Sequence, residues 1–124
     1  MNAKPVVENR LTPRYVLDQR AEFLDVSSFA ANLAYQVCVL VDISLGGVKI
    51  RSQTKYKSGH FLNLRASLCD CRNKIVLRGK ILRAVPLSDG WYEYGVSFDG
   101  LSDCQQRALR NGLECIARCK QAIA

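Results

Sequence analysis

The chain has 124 residues, which is enough for one domain with its own hydrophobic core and too few for two ordinary ones. Its 48% hydrophobic and 23% charged residues, with only three prolines, exclude a disordered tail. Eighteen Lys and Arg against eleven Asp and Glu give a formal net charge of +7, which favours anionic partners. Charge alone does not choose among phosphodiesters, nucleic acid and acidic lipid.

Targeting signals are not evident. No apolar run approaches the roughly 18 residues needed to cross a bilayer, and residues 1–20 lack the apolar core of a signal peptide. We therefore expect a cytoplasmic protein without membrane insertion. In that reducing compartment we predict free thiols for all six cysteines, which are Cys38, Cys69, Cys71, Cys104, Cys115 and Cys119.

Residues 1–19 show no periodic apolar pattern. Pro5, Pro13 and scattered polar residues predict a flexible arm that precedes the first strand.

Residues 20–100 read as short strands with period-two alternation. The segment 20–26 is a modest strand, and 35–43 is rich in β-branched residues, with Tyr35, Val37, Val39, Val41 and Ile43 on one face. Further strands are predicted around 48–51, 61–68, 74–86 and 91–98. Six half-buried strands joined by short turns indicate an antiparallel barrel or sandwich.

Residues 101–124 change to a helical period. Either Ser102 or Asp103 can cap a helix whose apolar side is expected to pack on the strands. The chain is thus predicted to form one domain overall: an arm (1–19), a barrel (20–100) and a C-terminal helix (101–124).

Two short motifs stand out. Arg10 and Arg14 form an R-x-x-x-R in the arm, and Asp42, Ser44 and Gly47 form a D-x-S-x-x-G at a turn between strands. Neither is specific alone, because Asp, Ser and Gly all favour turns and arginine pairs are common in basic chains.

Together, and in this order, the two motifs resemble those of the PilZ domain family, and the late strand YEYGVSF (92–98) resembles the segment these domains often carry before their helix. The resemblance implies a mostly β fold, a six-stranded antiparallel PilZ-type β-barrel with a C-terminal amphipathic α-helix. It also implies that Arg10, Arg14, Asp42, Ser44 and Gly47 bind cyclic di-GMP, a bacterial second messenger.

The chemistry of these side chains suits that ligand. Arginine offers planar donor pairs to phosphate and to the O6/N7 edge of guanine, as Arg10 and Arg14 would. The Asp42 carboxylate can accept from guanine N1–H and N2–H, and the Ser44 hydroxyl can bond phosphate or a base edge. Gly47 lacks a Cβ, which permits positive φ and close ligand approach. Because the arginines lie in the arm, binding is expected to order it.

Three further positions are possible contributors. Asn9 stands where several relatives carry another Arg or a bulky apolar residue, which influences whether one or two ligand molecules bind, so the stoichiometry stays open. Gly46 helps the turn. Trp91 could stack on a guanine, although a rim aromatic covering the barrel end is the simpler interpretation.

Other kinds of site find little support. The cysteines and His60 form no C-x-x-C pair, so we predict no metal and no cofactor. One histidine and no close carboxylate pair predict that the chain is not an enzyme. The basic residues between Arg72 and Arg83 are interpreted as a solvated strand face.

Three functions remain in competition. The first is a cyclic di-GMP receptor that acts on a downstream protein effector of unknown identity. The second is a ligand-independent PilZ interaction module in motility or pilus assembly. The third is a nucleic-acid-binding barrel, which the charge permits but for which no clustered aromatic platform is present; we expect no DNA or RNA partner.

Overall fold

The structure is a computed structural model that describes residues 13–26, 35–69 and 74–123. Six antiparallel strands close into a barrel in the order β1-β2-β3-β6-β5-β4, and one helix follows, which confirms the predicted fold class. The elements are β1 (Tyr15–Asp25), β2 (Gln36–Ile43), β3 (Gly47–Ser52), β4 (Phe61–Ser67), β5 (Lys74–Pro86), β6 (Tyr92–Phe98) and α1 (Asp103–Ile123), with a 3-10 turn at Ser88–Gly90.

Alternating side chains of the strands fill the barrel interior. Apolar residues that alternate with polar ones in β3, β4 and the middle of β5 are buried, as Ile50, Leu64 and Ile81 show. Tyr94 is fully buried, and its hydroxyl is satisfied: it donates to the Thr54 carbonyl at 2.5 Å and accepts from the Tyr56 N–H at 2.7 Å. Burial of this apolar set is the main source of the barrel's stability.

The first strand begins at Tyr15, five residues before the expected start at Arg20. Tyr15 pairs with Ile43, and Val16 pairs with Asp42, on the neighbouring strand β2. Because these partners are distant in the sequence, no local apolar period marks the start of β1. Residues 13–19 therefore lead into and form the start of the barrel. Residues 1–12 of the predicted arm lie outside the described residues.

The β-branched face of β2 is not the inner face over most of the strand. Cys38 and Leu40 point into the core, whereas Val37 is 49% exposed. The run has β-branched or apolar residues on both faces, so its alternation does not identify the inner one. A register shift between Leu40 and Asp42 then turns both Asp42 and Ile43 into buried positions.

The helix start settles the choice of cap. The Gln105 N–H donates to the Ser102 hydroxyl at 3.1 Å, and the Ser102 N–H donates to the Gln105 side-chain oxygen at 2.9 Å. This reciprocal pair is a capping box, so Ser102 is the N-cap. The helix buries Leu109, Leu113 and Ile116 against the barrel.

The prediction of six free thiols is wrong for Cys69 and Cys115, which form a disulfide across 46 residues of sequence. The fold brings the end of β4 against α1. This contact joins distant parts of the chain, so no local sequence pattern predicts it. Cys38, Cys104 and Cys119 are free, and Cys71 lies outside the described residues.

Within the described ranges, no helix is both long and apolar enough to cross a membrane.

Candidate functional site

The turn between β2 and β3 is built by the residues of the D-x-S-x-x-G motif. The Ser44 N–H donates to the Gly47 carbonyl at 2.9 Å, and the Gly46 N–H donates to the Ser44 hydroxyl at 3.3 Å. The Gly46 carbonyl accepts from the Phe98 N–H at 3.0 Å, which ties the turn to β6. Ser44 thus has a structural task in the turn, and its side chain is buried.

Gly47 is required by the approach of a neighbouring strand. A Cβ at this position would lie 2.3 Å from the Val96 carbonyl oxygen, so only glycine fits without movement of the backbone. The expectation of positive φ at Gly47 is wrong, because the described glycines with positive φ are Gly59, Gly90 and Gly100. Close packing against β6 therefore explains the glycine of the motif.

The two motifs meet in an ion pair. Arg14 Nη1 lies 2.6 Å from Asp42 Oδ1, although the residues are 28 positions apart. The Asp42 side chain is 10% exposed and that of Arg14 is 56% exposed. A nearly buried carboxylate thus holds a guanidinium on a side chain that is more than half exposed.

The charges continue along the outer face of the barrel. Lys49 Nζ lies 3.8 Å from Asp42 Oδ2 and 3.9 Å from Glu93 Oε2. Arg51 Nε in turn donates to Glu93 Oε1 at 3.0 Å. Because Lys49 stands between the two carboxylates, it can compensate Asp42 when the Arg14 guanidinium is drawn elsewhere.

A depression of about 600 Å³ lies beside this ion pair, within the size range of small-molecule sites. Its wall contains three cationic side chains, several small residues that leave the backbone accessible, and a few apolar side chains. They are Arg14, Ser44, Gly46, Gly47, Val48, Lys49, Leu82, Arg83, Gly95, Val96 and Ser97.

Gly95 forms the floor between two of the cations. It pairs with Lys49 on β3 and with Arg83 on β5, so the three residues form one row across three strands. A Cβ at Gly95 would meet nothing closer than Arg83 Cβ at 3.9 Å, so the space above the strand is open. The missing side chain leaves room for a flat group between two positive charges.

The predicted site residues fall into three groups. Arg14, Ser44, Gly46 and Gly47 line the depression, and Asp42 joins it through Arg14. Trp91 does not, because it lines a separate depression with Asp18, Val39, Arg51, Leu87, Ser88 and Asp89. Arg10 and Asn9 lie outside the described residues.

Seven of the lining residues escaped the sequence analysis, among them Lys49, Leu82 and Arg83. Arg83 was assigned to a solvated strand face. Arg83 reaches the site because the pairing of β5 with β6 shifts register between Ile81 and Arg83. Such an irregularity has no signal in one sequence.

The fold and site define a class, a small β-barrel with a cation-lined depression beside a strand turn. The chain belongs to the PilZ family, since the family model for the PilZ domain matches residues 8–114. No curated protein sequence matches significantly.

Solved structures share the fold at low sequence identity. The PilZ domain of YcgR from Escherichia coli, solved with c-di-GMP, has a TM-score of 0.65 at 14% identity, covering 90% of this chain and 93% of that one. The MrkH–c-di-GMP complex from K. pneumonia has a TM-score of 0.66 at 15% identity, covering 90% of this chain and 54% of that one. The PilZ domain of CeSA from a cellulose synthesizing bacterium has 0.60 at 17%, covering 82% and 98%.

Proposed function

We propose that this PilZ domain is a receptor for cyclic di-GMP, which binds in the depression beside the Arg14–Asp42 pair. The observation that carries the proposal is that pair itself. It joins the two motifs at 2.6 Å on the edge of a depression with three cationic side chains. Membership of the PilZ family and the c-di-GMP bound to the YcgR and MrkH neighbours support the choice of ligand.

The cations match the charge of the ligand. Cyclic di-GMP has two phosphates, and Arg14, Lys49 and Arg83 place positive charge around one depression. The Arg14 side chain is more than half exposed, which suits the forked recognition of phosphate or of the guanine O6/N7 edge by its guanidinium. Arg10 is proposed to supply a second fork.

The floor and wall suit a flat base. Gly95 opens the surface between Lys49 and Arg83, and Leu82 is 62% exposed at the wall. An apolar side chain in contact with a planar ring buries area on both groups. Asp42 is proposed to accept from guanine N–H groups as Arg14 turns toward the ligand, with Lys49 remaining near its Oδ2.

The output is proposed to pass through the segment that carries the arginines. Arg14 immediately precedes β1, so a ligand that engages Arg10 and Arg14 changes how this segment sits on the barrel. The new surface would then be read by a protein effector. PilZ domains are binding modules, and we propose a cytoplasmic, non-enzymatic role without a cofactor.

Isothermal titration with cyclic di-GMP at two salt concentrations tests this function. We expect guanine-specific binding, with GTP and cyclic di-AMP as matched nucleotides that bind far more weakly. Binding that is absent at both salt concentrations would overturn the receptor and favour the ligand-independent interaction module. Steeply salt-dependent binding of oligonucleotides, without preference for cyclic di-GMP, would favour the nucleic-acid barrel.

A further inference from the structure

Three sulfur atoms meet where the end of β4 approaches α1. The Sγ atoms of Cys69, Cys115 and Cys119 all lie within 4.8 Å of one another. Cys115 and Cys119 are one helical turn apart and therefore share a face of α1. Cys69 Sγ is bonded to Cys115 and lies 3.4 Å from Cys119 Sγ. One barrel sulfur thus faces two helix sulfurs.

Apolar packing does not explain this cluster. Cys38 is a fully buried thiol of the core, and a small hydrophobic role accounts for it. Cys119 is exposed, yet its thiol is directed at Cys69. A disulfide requires two sulfurs, so the third convergent sulfur is unexplained by the Cys69–Cys115 bond.

We propose that, once the Cys69–Cys115 bond is reduced, the three thiolates bind one thiophilic metal ion of the Zn²⁺ class. The ion would join the barrel to the C-terminal helix at the same place as the disulfide. This site shares no residue with the depression beside Arg14, so it stands independently of the proposed cyclic di-GMP function.

The spacing of the sulfurs fits tetrahedral thiolate coordination. Zinc–sulfur bonds of about 2.3 Å place two thiolates about 3.8 Å apart. Cys69 and Cys119 are already near this separation at 3.4 Å. The sulfurs of Cys69 and Cys115 need only the small separation that follows cleavage of their bond, because the Cα atoms of these residues are 5.9 Å apart. The exposure of Cys119 leaves a fourth position open to water.

The helix is held close to the barrel at this point by a small residue. A Cβ at Gly112 would lie 2.8 Å from Leu68 Cβ, so glycine allows α1 to lie against the residue that precedes Cys69. Gly112 is one turn before Cys115 and sets the distance between the ligand-bearing segments. Ligands held on packed elements are already positioned for the ion.

Loading the site is a balanced process. A phosphine reductant gives two electrons to the disulfide and becomes a phosphine oxide with oxygen from water, while two thiols form. The metal then displaces one proton from each of the three thiols into the buffer. Three thiolates and a divalent ion carry a net charge of −1, which a chain of formal net charge +7 accommodates readily.

The remaining described thiols provide controls. Burial, and to a smaller extent the Glu22 carboxylate, raises the pKa of Cys38 to about 12, so this thiol stays protonated in the core. Cys104 is exposed on the first turn of the same helix, and eleven residues of α-helix separate it from Cys115 by roughly 16 Å.

The test is a titration of the full chain, reduced by a phosphine under anaerobic conditions, first with Co²⁺ and then with Zn²⁺. We expect one equivalent of Co²⁺ with a sulfur-to-cobalt charge-transfer band that Zn²⁺ abolishes. The band should be lost in Cys119→Ser and kept in Cys104→Ser, with circular dichroism confirming that both variants are folded. The melting temperature should rise with Zn²⁺ in the reduced wild type and not in Cys119→Ser. No band in the wild type, or an equal band in Cys119→Ser, would overturn the proposal.

Discussion

The guanidinium of Arg14 lies 2.6 Å from the carboxylate of Asp42, and this contact joins a residue before β1 to the end of β2. The two residues belong to different sequence motifs and are 28 positions apart in the chain. Because Asp42 is nearly buried and Arg14 is largely exposed, the carboxylate positions a cation that still faces outward. The predictions on binding follow from this relationship.

Removing the Arg14 guanidinium should weaken the binding of cyclic di-GMP. We expect Arg14→Ala to cost about 1 to 3 kcal/mol of binding free energy, the worth of a bidentate arginine–guanine contact, and Arg10→Ala a similar amount. Isothermal titration measures the loss, and circular dichroism should show an intact barrel. Arg78→Ala is the matched control, since Arg78 lies over the Phe61 ring and does not line the depression. Unchanged affinity in the double variant Arg10→Ala/Arg14→Ala would refute the site.

A side chain at Gly95 should block the depression without disturbing the fold. The nearest atom to a Cβ there is 3.9 Å away, which is ordinary contact, so Gly95→Val should change the free energy of unfolding by less than about 1 kcal/mol. The branched side chain would occupy the space between Lys49 and Arg83. We expect at least about a tenfold loss of affinity, equal to roughly 1.4 kcal/mol. Full affinity in a folded variant would show that the ligand does not use this floor.

A side chain at Gly47 should lower the stability of the barrel, because β6 packs directly against this position. A Cβ would lie 2.3 Å from a backbone oxygen of β6, so Gly47→Val should lower the free energy of unfolding by about 1 to 3 kcal/mol or more. Gly46→Ala is the control, since no atom lies within 4 Å of its Cβ position. Urea unfolding of both variants measures the difference. Lost binding in Gly47→Val then reports a damaged barrel, and equal stability of the two variants would contradict the packing explanation.

Ligand binding should change the backbone near both motifs. We expect slower amide hydrogen exchange in residues 6–14 and in the turn from Asp42 to Gly47 when cyclic di-GMP is added. Residues 15–17 already pair with or adjoin the pairing to β2, so their exchange should change little. The C-terminal helix serves as the internal reference. Equal exchange of residues 6–14 with and without ligand would refute the proposed signal while leaving binding itself intact.

The buried thiol of Cys38 should make the fold sensitive to alkali. Its pKa is about 12 in the barrel against an ordinary value of 9.0, mainly because burial disfavours the thiolate. A raised folded-state pKa means that the stability is complete below pH 9 and is lost as the pH rises toward 12. The loss from this group should reach about 2 to 3 kcal/mol by pH 11.

The measurement is the slope of unfolding free energy against pH between 9 and 11. Cys38→Ala should be less stable at neutral pH, because it leaves a cavity, but its slope should be shallower than that of the wild type. Cys104→Ala, which removes an exposed thiol, should keep the wild-type slope. A slope that Cys38→Ala leaves unchanged would contradict the assignment.

The sequence by itself determined the features that depend on local residue patterns, which are strand alternation, the helix start and the two motifs. Period-two alternation in strands such as Phe61–Ser67 identified the inner face correctly, because polar residues separate the apolar ones. The choice of Ser102 or Asp103 as the cap placed the helix start within one residue, because capping is a contact between near neighbours. The order of the two motifs gave the family, and four of the proposed site residues line the depression.

The tertiary structure decided whatever depends on register and closure. Val37 lies outside and Cys38 inside because pairing with both neighbouring strands selects the face of β2, where the residues themselves allow either. Lys49 and Arg83 converge over Gly95 only because three strands pair in one register, with a shift in β5. The sulfurs of Cys69, Cys115 and Cys119 meet because α1 packs on the end of β4. These contacts join residues far apart in the chain, so their geometry arises only when the barrel closes.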